Sequence, residues 1–112
     1  MQRFRQMLVD ARGPGGPFAR ADRAALHRAG RGLSEPDVLE ILDELDAMSR
    51  ERNQLPEWDG DSSDDIAFYQ EDLAALLAGS CGAARRALVE DARPREELTR
   101  AYVALALGTA AA

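Results

Sequence analysis

LSEPDVLEILDELDAMSRERN, residues 33–53, carries the plainest structural signal in the chain. Val38, Ile41, Leu42, Leu45 and Met48 recur at three- and four-residue spacing, which puts them on one face of an α-helix. Glu40, Asp43, Glu44 and Asp46 mostly cover the other face. Ser34 can accept a hydrogen bond from the backbone of Asp37, whose carboxylate can reach back to the Ser34 N–H in a capping box. Pro36 is tolerated in the first turn, and acids at the start with Arg50 and Arg52 at the end suit the helix dipole. A helix over residues 34–52 is therefore expected, at the centre of the fold.

Upstream, Phe4, Met7, Leu8 and Ala11 make the stripe of a short helix that GPGGP, residues 13–17, should stop. Phe18, Ala21, Ala25, Leu26 and Ala29 form a second stripe, thin and alanine-rich, with Gly30 or Gly32 as its stop. Downstream, Ile66, Tyr69, Leu73, Leu76 and Leu77 make a helix ended by Gly79. Residues 82–92 read as a shorter helix between Gly82 and Pro94. A last helix should run from Pro94, in its first turn, to Gly108, with Leu98, Ala101, Tyr102 and Leu105 aligned and the final four residues fraying.

Composition agrees with this reading. The chain holds 21 alanines, against eight valines, isoleucines and threonines together, so helix formers dominate and sheet formers are scarce. At 112 residues it suits one domain, residues 1–112. The expected fold is all-α: a compact bundle of five or six short helices in antiparallel to orthogonal packing, with the 66–78 and 95–107 helices on the central one. A lone cysteine, Cys81, excludes an internal disulfide, and no segment reads as a signal peptide or membrane span. A soluble, cytoplasmic protein is expected.

Charge is distributed unevenly. Residues 1–32 carry seven arginines against two acids, net +5, whereas residues 33–79 carry 14 acids against two arginines, net −12; residues 80–112 are net +1. The basic end and the acidic middle can pair within one molecule, between two copies, or with a charged partner.

PEWDGDSSDDIAFYQ, residues 56–70, gathers four aspartates behind a tryptophan. Starting at Asp59, it partly resembles a calcium-binding EF-hand loop, with Asp59, Asp61 and Ser63 as candidate ligands and Ile66 at the apolar position. Asp64, however, stands where that loop needs glycine, and Gln70 where it needs a bidentate glutamate. The expected role is a turn at Asp59-Gly60, with Ser62 or Ser63 capping the next helix and Asp64 and Asp65 in its first turn.

Other motifs point away from chemistry. His27 is the only histidine and Cys81 lies in the junction AGSCGAA, so no nucleophile–base set is apparent; no catalytic residue, resident metal or cofactor is expected. Glu40 and Glu44 lack the Glu-x-x-His partners of a diiron site. RAALHRAGRGLSEPDVLEIL has helix-turn-helix spacing, but its second helix is acidic and phosphates would repel it. Arg20, Arg23, Arg28 and Arg31 give the preceding helix a basic surface, yet nucleic acid is not the expected ligand, and neither is a membrane.

What remains is a non-catalytic acidic interaction protein: an adaptor, an inhibitor or immunity protein, or a small subunit of an assembly. It would bind a basic protein through its 35–65 face, at Glu40, Asp43, Glu44, Asp46, Trp58, Asp59 and Asp61. Leu55 and Trp58 are expected to fold back over the bundle, with an exposed, partner-binding Trp58 as the alternative. A self-associating protein, or a weak cation-responsive domain using residues 59–71, are the other readings.

Overall fold

In the computed structural model, residues 2–13 and 22–111 are described, apart from the side chains of 109–111. Six helices run through them, and no strand: α1 (Arg3–Arg12), α2 (Arg23–Gly30), α3 (Glu35–Gln54), α4 (Gly60–Ala78), α5 (Gly82–Asp91) and α6 (Glu97–Ala111). The all-α expectation holds. Phe18, Arg20 and Ala21 lie outside the described residues, as does most of the GPGGP stretch.

The capping box forms as the sequence of α3 predicts. Ser34 Oγ accepts from the Asp37 N–H at 3.3 Å, and Asp37 Oδ2 accepts from the Ser34 N–H at 2.9 Å. Asp37 also accepts from Arg3 Nε at 3.1 Å, so the acid that caps α3 fastens α1 to it. Burial pushes the Asp37 pKa up, but the bonds from Arg3 and Ser34 outweigh this and hold it below its ordinary value. Ser34→Ala should lower stability by about 1 kcal/mol in urea unfolding, and Ser34→Asp should recover most of it. A midpoint unmoved by the alanine would remove the cap from the account of α3.

Val38, Ile41, Leu42 and Leu45 are fully buried and face Phe4 and Leu8 of α1, Leu26 of α2, Leu73, Leu76 and Leu77 of α4, Leu88 of α5, and Val103 and Ala106 of α6 in one core. The centre of the fold is shared by α3 and α4, and the α4 and α6 helices pack on α3 as expected. Helices α1, α2, α3 and α6 pack on α4, and α1, α4, α5 and α6 pack on α3; α2 meets α4 most extensively. The physical reason lies in the second half of α4, where Leu73, Ala74, Leu76, Leu77 and Ala78 are buried almost without interruption. A helix apolar on more than one face needs neighbours on more than one side.

Three boundaries differ from the expectation. Helix α4 begins at Gly60, with Asp59 as its N-cap accepting from the Ser62 N–H at 3.2 Å, so neither Ser62 nor Ser63 is the cap. Asp59 competes well because an aspartate one residue before a helical start has the same capping chemistry as serine. Helix α6 begins at Glu97, leaving Pro94 in the turn before it, and continues to Ala111 instead of fraying after Gly108. Its start is held from outside the local sequence: Asp46 Oδ1 of α3 accepts from the Glu96 N–H at 3.1 Å and from the Thr99 hydroxyl at 2.7 Å.

Helices α2 and α4 meet through a pair of glycines. A Cβ on Gly30 would lie 2.0 Å from the Leu76 carbonyl oxygen, and one on Gly79 would lie 1.9 Å from that of His27. Both glycines do end helices, as their positions suggest, but their neighbours allow no side chain there.

Candidate functional site

The acidic residues of α3 divide into two groups once the fold is in place. Glu44, whose side chain is 9% exposed, is ion-paired with Arg5 of α1 and accepts from the Tyr69 hydroxyl at 3.1 Å. Burial and the Glu44 charge together push the Tyr69 pKa well above its ordinary value, so the phenol stays a donor. Asp46, at 13% exposure, takes the Glu96 N–H, the Thr99 hydroxyl and Arg95 Nη1, the last at 3.2 Å. Asp43 is exposed but also accepts from Arg95 Nη1, at 2.5 Å. Glu40 is half-buried and makes no ion pair with any described residue. The basic N-terminal part and the acidic middle therefore pair within the molecule at Arg3–Asp37 and Arg5–Glu44.

The acids that face solvent without an ion pair to any described residue lie further along. Trp58 is 83% exposed, so it does not fold back over the bundle; Leu55 beside it is half-buried. The reason is local: Asp59 N–H donates to the Pro56 carbonyl at 3.0 Å, and this tight turn carries the ring outward just before the Asp59 cap. Asp61, Asp64, Asp65 and Phe68 follow at i, i+3, i+4 and i+7 on the first two turns of α4, and all four are exposed. Asp61, Asp64 and Asp65 make no ion pair with any described residue. The result is a ridge of two exposed aromatic rings and three carboxylates with no ion pair to a described residue.

The candidate cation ligands are not brought together. Residues 60–71 are helical rather than looped, Asp59 caps that helix, and Ser63 Oγ accepts from Arg52 Nε at 3.3 Å. Among the described residues, no group of three or more His, Cys, Asp or Glu side chains is placed to hold a metal ion. His27 is half-buried on α2 beside a small cavity of about 60 Å³ that Arg23, Glu71 and Leu105 also line. Cys81 is exposed before α5, its Sγ 3.8 Å from the Arg31 carbonyl oxygen.

One cluster has no counterpart in the sequence reading. Gln70, Ser49 and Thr99 are fully buried among apolar side chains. Gln70 Nε2 donates to Ser49 Oγ at 3.1 Å, Ser49 Oγ donates to the Leu45 carbonyl at 2.7 Å, and Thr99 connects the group to Asp46. Arg52 closes the other end, with Nη1 3.4 Å from Gln70 Oε1 and 3.5 Å from the Tyr102 hydroxyl. No buried side-chain nitrogen or oxygen among the described residues lacks a partner. Ser49 sits one residue beyond the Met48 stripe and Gln70 one beyond Tyr69, and that polar–apolar adjacency was the only available signal.

Comparison with protein-family models, with curated proteins and with solved structures finds no match for this chain. No described helix is long and apolar enough to cross a membrane.

Proposed function

We propose that this chain is a non-catalytic interaction protein that docks a basic protein partner on the ridge formed by Trp58, Asp61, Asp64, Asp65 and Phe68. The observation that carries this reading is Trp58, 83% exposed and followed by three exposed carboxylates that have no ion pair with any described residue. A tryptophan left in water gains from burial against another surface, and such rings are enriched among residues that dominate binding energy. Unpaired acids around it speed encounter with a basic surface and select against acidic ones. An arginine of the partner can both pair with an aspartate and stack on the indole.

The ridge replaces the broader 35–65 face because Glu44 and Asp46 already serve the fold. Self-association through the basic N-terminal part is less well supported, since Arg3 and Arg5 are engaged within the molecule.

The test is capture from source lysate with three tagged proteins: wild type, Trp58→Ala, and the triple variant Asp61→Asn, Asp64→Asn, Asp65→Asn. Wild type should retain a stoichiometric basic protein at low salt that high salt releases. Both variants should lose it at least tenfold while unfolding within about 0.5 kcal/mol of wild type, as surface changes do. Equal recovery by all three proteins would remove the ridge as the docking surface. The chain has one tryptophan, so a blue shift of its emission on adding the purified partner would locate the contact directly.

A further inference from the structure

A groove of about 560 Å³ lies between the last turns of α3 and the first turn of α6, lined by Ser49, Arg52, Asn53, Glu96, Glu97 and Leu98. That volume is in the range of small-ligand sites. One of its lining residues is Arg52, half-buried and matched among the described residues only by neutral acceptors at 3.3–3.5 Å: Ser63 Oγ, Gln70 Oε1 and the Tyr102 hydroxyl. It makes no ion pair with a described carboxylate, and its Nη2 has no hydrogen bond to any described residue. Arg95, the other partly buried arginine of this region, is matched by two carboxylates. A guanidinium drawn out of bulk water is stabilised by an anion, and Arg52 has none among the described residues.

The surroundings define the anion further. The first turn of α6 also lines the groove, through Glu97 and Leu98, and the leading N–H groups of a helix have no acceptor within it and carry its positive end. A carboxylate between Arg52 and that turn meets donors from both sides. Glu96 is already engaged by Arg50 at 3.4 Å, whereas Glu97 makes no ion pair with a described residue. The groove therefore offers, among the described residues, one positive and one negative charge without an ion-pair partner, plus the Asn53 amide. A dianion such as phosphate would meet Glu97 uncompensated; a molecule with one carboxylate and one ammonium would satisfy both.

We propose that this groove binds a small zwitterion of the α-amino-acid class, its carboxylate between Arg52 and the start of α6 and its ammonium on Glu97. The site is independent of the docking ridge.

Amide shifts of the ¹⁵N-labelled full chain test it, with an equimolar mixture of the common L-amino acids as first probe, then each alone, and with acetate, methylammonium and inorganic phosphate as comparisons. At least one amino acid should move the Ser49, Asn53, Glu97 and Leu98 amides saturably, with a Kd of about 1 mM or tighter. Arg52→Gln should weaken that binding at least tenfold. Glu97→Gln, an exposed change that leaves the fold intact, should weaken the amino acid severalfold and acetate not at all, so the proposal stays testable even if Arg52→Gln unfolds the chain. No movement at about 10 mM of each amino acid, where a millimolar site would be mostly filled, overturns the proposal. So does full binding in folded Arg52→Gln, or acetate or phosphate binding as tightly as the amino acid.

Discussion

Gly30→Ala will destabilise the protein by about 3 kcal/mol or more, a larger loss than any surface substitution should produce. The added methyl carbon would lie 2.0 Å from the Leu76 carbonyl oxygen, 3.0 Å from the Gly79 Cα and 3.1 Å from the Leu76 carbonyl carbon. All three are backbone atoms, so no side chain can rotate away; α2 and α4 must separate. That separation costs packing where α4 is most deeply buried, around Leu73, Leu76 and Leu77. Gly79→Ala should behave alike, because its Cβ would meet the His27 carbonyl oxygen at 1.9 Å. Gly108→Ala is the control: it lies within α6 with nothing within 4 Å of the added carbon, and should stabilise by about 0.5–1 kcal/mol through helix propensity. Thermal unfolding of the three variants decides the matter, with a fall in Tm of about 12 °C or more expected for Gly30→Ala. A Tm near that of wild type would mean that the helices do not meet at this pair.

Where neighbours in sequence decide the outcome, the outcome was legible. The capping box of α3 and the stripes of α1 and α3 are statements about residues three and four apart, and they hold except at Met48, which is half-buried; the Leu98–Leu105 stripe of α6 does not, since Ala101 and Leu105 are exposed and Thr99, Val103 and Ala106 are buried instead. The second buried face of α4 was less legible, because the Ile66–Leu77 stripe marks one face and only assembly reveals that Ala74 and Ala78 are buried as well. Gly30 and Gly79 read as helix ends, since a close approach between elements 49 positions apart leaves no local mark. The same limit applied to function. Glu44 and Asp46 look like members of a solvated acidic face until Arg5 and Arg95 arrive from distant helices, whereas Asp61, Asp64 and Asp65 keep the exposure that their local pattern suggests. Trp58 went against expectation because ring burial depends on whether the turn at Pro56–Asp59 points inward, and that is a tertiary fact.

Asp46→Ala will cost about 3 kcal/mol of stability, although its position among the acids of α3 makes it look like a binding residue. Its carboxylate accepts from three donors at once, and one of them, the Thr99 hydroxyl, is fully buried. Alanine leaves that hydroxyl with only a weak 3.5 Å approach to Ser49, frees the Glu96 N–H at the start of α6, and leaves Arg95 with Asp43 alone. Asp46→Asn should cost less, since an amide oxygen still accepts from Thr99 and Glu96 and only the pairing with Arg95 weakens. The charge itself is read by pH. Burial pushes the Asp46 pKa up, but the bonds from Thr99, Glu96 and Arg95 more than offset this, so the folded-state value lies below the ordinary 3.8. A carboxyl with a depressed folded pKa contributes stability that is complete above its unfolded pKa and is lost as pH falls through the folded one. Asp37, depressed in the same direction, adds to the loss. Wild-type stability should thus decline once pH drops below about 4, and Asp46→Asn should show a shallower decline over the same range. Unfolding free energies from urea titrations between neutral pH and pH 3 supply the comparison. Equal slopes would place the Asp46 charge outside the acid response. A stable Asp46→Ala would return this residue to the surface available for binding, and the ridge at the start of α4 would then extend onto α3.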